Sequence, residues 1–173
     1  MRYSGWAGLF AGLFVLTFPA ATVRAEHASI NLRVMRIDPE TGKEKDEAGT
    51  TLVVQEPPGE NVDQRQQFKA KAGEPLALQF ILTNTYPHGE KPAVRIRYFV
   101  VRETKLKQKT VPDRGDGVVT EGRFTLNYKP KCRVGVRQLF TIKEPGSYLL
   151  RIQTENTDSD HEHFSAIDIL VEK

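Results

Sequence analysis

Cysteine is nearly absent from this chain. Cys132 stands alone in 173 residues, so no intrachain disulfide can staple a domain and its stability rests on a hydrophobic core. Tryptophan is as scarce, because the single Trp6 lies in an amino-terminal apolar run. Beyond that run no stretch approaches the roughly 20 apolar residues that a spanning helix requires. No window sustains an apolar 3.6-residue stripe, which excludes a helical bundle. Ser29, Ser147, Ser159 and Ser165 lack the glycine-flanked context of a nucleophile elbow, and Cys132 has no histidine near it in sequence. The sequence therefore predicts no enzyme. The aromatic and glycine signature of an RNA-binding sheet is missing too, so nucleic acid is not an expected partner.

What is present begins with a leader. Arg2 gives a short positive start, residues 6–18 form a run of 13 without a charge, and Pro19 interrupts it. Val23, Arg24 and Ala25 offer a small-residue cleavage site, which predicts a signal peptide over 1–25, a mature start at Glu26 and an extracytoplasmic location in periplasm, at the cell surface or in the medium. An uncleaved anchor is the alternative. Residues 26–173 are 148 residues, one domain's length, and carry 23 basic and 22 acidic side chains. That near balance hides a strong internal asymmetry. Residues 91–143 hold 14 basic and 4 acidic residues, whereas 26–90 sum to −4 and 144–173 to −5.

Period-two alternation recurs after the leader and predicts strands. Ile30, Leu32 and Val34 begin the first, which ends near Ile37 before a turn over 38–42. A short strand is expected at 51–55 and a return to the sheet at 66–70. Leu76, Leu78, Phe80 and Leu82 share one face of the next strand, and Val94, Ile96, Tyr98 and Val100 share a face of a half-buried one. Strands over 118–128, 133–142, 148–155 and 164–171 complete a set of about eight. Cys132 is either turned inward with Val134 and Val136 or exposed as a thiol activated by Lys131 and Arg133.

The segment Glu144-Pro145-Gly146-Ser147-Tyr148-Leu149-Leu150 resembles the turn and strand that carry a tyrosine corner in immunoglobulin-like and fibronectin-like sandwiches. The segment Lys71-Ala72-Gly73-Glu74-Pro75-Leu76 is similar to the entry into the second strand of such modules, and 164–171 to their last strand. The resemblance implies an all-β immunoglobulin-like antiparallel sandwich of the disulfide-free bacterial kind, with Tyr148 as its structural corner. It implies no activity, because this fold hosts many functions.

Two groups of residues could carry binding. Asp158, Asp160, His161 and His163 crowd one expected hairpin tip, where two imidazoles on one strand face would supply half of a Zn²⁺ or Cu²⁺ site, with Asp158, His27 or His88 as a remote third ligand. The two aspartates could instead hold Ca²⁺, or the tip is simply a solvated turn. Arg95, Arg97, Lys105, Lys107 and Lys109 fall at odd spacing. If one strand ran through all five, they would form a cationic stripe for an anionic polysaccharide or an acidic protein. The other reading is that these charges guard a solvent-facing strand and meet acids of the same domain. The expected function is a non-catalytic exported interaction module, with a metal-binding protein or a structural envelope component as alternatives.

Overall fold

The computed structural model describes residues 28–52, 65–84, 90–112, 115, 117–155 and 164–173. These hold nine strands: β1 (Ala28–Ile37), β2 (Glu44–Leu52), β3 (Gln66–Lys71), β4 (Pro75–Asn84), β5 (Lys91–Glu103), β6 (Val118–Tyr128), β7 (Arg133–Thr141), β8 (Gly146–Glu155) and β9 (Phe164–Glu172). They form a four-stranded sheet in the order β2-β1-β4-β7 and a five-stranded sheet in the order β3-β9-β8-β5-β6.

Alternation decides how the sheets meet. The register sets Ile30 opposite Leu82, Leu32 opposite Phe80 and Val34 opposite Leu78, so the apolar phases of β1 and β4 coincide on one face. Tyr148, Leu150 and Ile152 of β8 with Ile167, Ile169 and Val171 of β9 answer them from the other sheet, all buried in one continuous core. Each such aliphatic side chain contributes about 1.5–3 kcal/mol on burial, the only large stabilising source in a chain with one cysteine. Phe80 sits at the contact of the two sheets, with the rings of Tyr98 at 5.3 Å and Phe124 at 6.4 Å.

Several expectations need correction. The second strand, expected at 51–55, begins earlier and is described over Glu44–Leu52, while 53–55 lie outside the described residues. It is an edge strand, and Ala48 is the buried residue among its described side chains, so no apolar alternation announced it. The return at β3 joins the opposite sheet and pairs parallel with β9, burying Phe68 and Ala70, so the sandwich is not wholly antiparallel. The first strand pairs with β4 and β3 with β9, so the amino-terminal half is attached to both sheets.

β5 is also more buried than half. Beyond the main core, its outward residues Phe99 and Val101 join Leu149 and Ala166 in a second apolar cluster on the outer face of the five-stranded sheet, with Val111 and Val118 against it. Val111 reaches that face because the chain folds back over the sheet after β5 ends.

Gly122 in β6 marks the tightest backbone position. A Cβ there would run into the Tyr98 ring and hydroxyl, so the glycine is the space in which the tyrosine lies. With Phe80 against its other side, Tyr98 has little room to yield. Gly122→Ala is expected to cost about 1–3 kcal/mol by overpacking, read as a lower urea midpoint. Combining it with Tyr98→Leu should recover part of that loss, and simple additivity of the two changes would refute this account.

Candidate binding surface

The expected cationic stripe is broken by the end of its strand. β5 stops at Glu103 and the chain turns, Lys107 adopting a left-handed φ of 56°, so Lys105, Lys107 and Lys109 lie in the following loop. Arg95 and Arg97 share the outer face of β5, where Arg95 is exposed. Arg97 is only 12% exposed at its side chain and is held between Glu121 at 3.4 Å and Glu155 at 3.8 Å. The structure thus brings Arg95 and Arg97 onto one strand face and sets the three lysines apart from them, with one arginine engaged by acids of its own domain.

The loop is anchored by a buried ionic group. Glu103 at the end of β5 and Asp168 in β9 have fully buried carboxyls, and Arg65, just before β3, lies 3.7 Å from the first and 3.3 Å from the second. Arg65 also donates from Nη2 to the carbonyl of Gln108 at 2.8 Å, tying the loop to the sheet. The Gln108 side chain accepts from the Thr104 amide at 3.1 Å and donates to the Thr110 carbonyl at 3.0 Å, closing the loop on itself. The two carboxyls are buried side by side, so burial pushes the Glu103 carboxyl up to about 7, opposed by Arg65 and helped by Asp168. Asp168 is raised by burial as well, against the charges of Arg65 and Lys107.

A different cationic surface forms on the opposite edge of the molecule. β6 ends one sheet and β7 the other, and the Gln138 amide donates to the Thr120 hydroxyl across them at 2.5 Å. The turn 129–132 joins the two strands with Lys131 at a φ of 60° and the Cys132 amide bonded to the Lys129 carbonyl at 3.1 Å. Buried Asn84 fixes this turn, its Nδ2 donating to the carbonyls of Tyr128 at 3.1 Å and Lys129 at 2.9 Å. Cys132 is a half-buried free thiol packed against the core from the turn.

Arg123, Lys129, Lys131 and Arg133 are all exposed along this flank, and none forms an ion pair among the described residues. Their sequence signal was the surplus over 91–143. Choosing the stripe on β5 overlooked them, because only topology shows that β6 and β7 lie side by side. Arg133 also borders a groove of about 660 Å³ on the outer face of the four-stranded sheet. Hydrogen-bonding side chains line it, including Ser29, Asn31, Gln79 and Thr83, and Arg33 there is paired with Glu47.

The Tyr148 hydroxyl donates to the Glu144 carbonyl at 2.9 Å, closing the corner ahead of β8. His27, His88, Asp158, Asp160, His161 and His163 lie outside the described residues. Among the described residues no group of three or more His, Cys, Asp or Glu side chains could hold a metal ion, and no helix is long and apolar enough to cross a membrane.

The order β1-β4-β7 against β9-β8-β5-β6, with a tyrosine corner before β8, defines an immunoglobulin-like β-sandwich module. No protein-family model and no curated protein matches the chain. Among solved structures it is similar to the CARDB domain of the PF1109 protein from Pyrococcus furiosus, solved with di-metal ions, at a TM-score of 0.45 and 8% identity over 85% of this chain and 96% of that one. It is also similar to the C-terminal domain of Wzt (TM-score 0.44, 10% identity, 86% of this chain and 75% of that one). A third similar structure is a chitin-binding domain from Burkholderia pseudomallei (0.41, 10%, 66% and 61%).

The ionic anchor makes stability depend on pH. Glu103 binds its proton more tightly folded than at its ordinary value of 4.5, so its stabilising contribution is complete below about 4.5 and is lost as pH rises through about 7. The melting temperature should therefore fall between pH 5 and 8 more steeply in the wild type than in Glu103→Gln, where the neutral amide replaces the titrating acid. Parallel pH profiles for the two proteins would refute this.

Proposed function

We propose that this domain is an exported, non-catalytic binding module that engages an anionic partner, a protein or an acidic polymer, through the flank formed by β6, the turn 129–132 and β7. The observation that carries the reading is the set of four exposed cations there, Arg123, Lys129, Lys131 and Arg133, that form no ion pair among the described residues, while Arg97 and Arg137 are already paired. Cations left unpaired in this way retain their full attraction for an incoming anion, whereas Arg97 or Arg137 would first have to give up a carboxylate of its own domain. The groove beside Arg133 adds amide and hydroxyl groups that can fix the orientation of a bound polar chain.

The predicted leader supports export, and a preorganised sheet surface suits recognition by contact. Protein and polymer partners share the chemistry that this flank would read, closely spaced negative charge.

On a carboxylated matrix the protein should be retained at low salt and released as salt approaches about 1 M, where the screening length is only about 3 Å. Reversing Arg123 and Arg133 to glutamate should abolish retention while leaving the melting temperature nearly unchanged, since both side chains are exposed. Reversal of Lys105 and Lys109 in the anchored loop should weaken it less. Equal loss in the two double variants, or no retention of the wild type at low salt, would count against this assignment.

A further inference from the structure

Four strands end the two sheets, β2 and β7 in one and β3 and β6 in the other. Exposed edges invite pairing by other chains, and three of these four carry features that discourage it. β2 shifts register against β1 at Met35/Arg36, places Asp46 at a φ of 40° and runs through Glu44-Lys45-Asp46-Glu47. β3 is six residues long and exposes Lys69 and Lys71. β6 shifts register against β5 at two places, Lys91/Val94 and Val100/Val101.

β7 carries two exposed arginines, Arg133 and Arg137, but is neither short nor irregular. Its nine residues contain no proline and pair with β4 in unbroken register from Thr141 opposite Pro75 to Arg133 opposite Thr83. Its inward Val134 and Val136 are only half-buried, as are Phe124 and Leu126 across the mouth of the sandwich. Leu139, on its outer face, is 66% exposed, the one exposed large hydrophobic side chain among the described residues. Immunoglobulin sandwiches of the constant type continue this sheet with one more strand at the same place.

We infer that the β7 edge accepts an extended segment of another polypeptide as a fifth strand of the four-stranded sheet, and that this segment alternates apolar with acidic residues. Strand period two sets that pattern. Residues of one phase would face inward and cover Val134, Val136 and the half-buried side chains of β6. Those of the other phase would lie on the outer face beside Arg133, where a carboxylate complements the arginine, while Arg137 stays with Glu44. A second copy of this chain fits poorly, because two antiparallel β7 strands would bring their arginines together across the new pair. The inference rests on the reading of this flank as the anionic-partner surface and adds backbone pairing to it.

The test uses the purified protein and a monomeric nine-residue peptide alternating Glu and Val. Three further probes accompany it: the same peptide N-methylated at alternate residues, a Lys-Val peptide, and poly-glutamate. The Glu-Val peptide should bind and slow hydrogen exchange at β7 amides, with the N-methylated form roughly tenfold weaker or worse because it cannot complete the ladder. The Lys-Val peptide should not bind. If poly-glutamate and the N-methylated peptide bind as well as the parent and β7 amides stay unprotected, strand addition is overturned and the charged flank stands. If no acidic probe binds at low salt, both readings fall. Protection of β7 that grows with protein concentration alone would overturn the inference in favour of a second copy.

Discussion

Two sheets without a disulfide between them stay together only if their apolar phases coincide at the interface, and Phe80 is where that condition is most exacting. It is fully buried in β4, flanked by the rings of Tyr98 and Phe124 from the opposite sheet. The glycine at 122 follows from this contact, since Tyr98 needs the space that a side chain on β6 would fill. The placement of β6 follows in turn, and with it the flank that β6 shares with β7. A surface feature at the edge of the molecule is thus positioned by ring packing in its centre.

The basic surplus over 91–143 is divided by topology into cations that are paired and cations that remain available. Arg97 lies between two glutamates, Arg102 meets Glu144, and Arg137 meets Glu44. Arg65, from outside the surplus, is buried between two carboxyls under the loop that bears Lys105, Lys107 and Lys109. Paired cations of this kind fix segments of the fold. Arg123, Lys129, Lys131 and Arg133 form no ion pair among the described residues and leave positive charge at that edge.

Alternation made most of the sandwich readable from sequence. β1, β4, β6, β8 and β9 each place apolar residues on one phase, and their extents fall within a few residues of expectation. β2 escaped because an edge strand with little buried surface has no reason to alternate. The burial of Glu103 and Asp168 escaped for another reason: a carboxylate reads as surface until the loop folding over it is known. The stripe on β5 assumed a strand longer than the one that forms, and the flank opposite required knowing which strands end each sheet. The histidine and aspartate cluster at 158–163, with His27, stands as a sequence expectation only.

The separation of charge also governs how the molecule meets other bodies. Residues 26–173 are almost neutral in sum, yet β7 closes one end of the four-stranded sheet beside cations that form no ion pair among the described residues, while β2 closes the other with Glu44, Asp46 and Glu47, each paired with an arginine. The two ends of this sheet therefore differ in what a charged body finds there rather than in how strongly it is drawn from afar. An anion approaching the β7 end meets cations that need shed no carboxylate first, whereas at the β2 end every contact must compete with an ion pair already made.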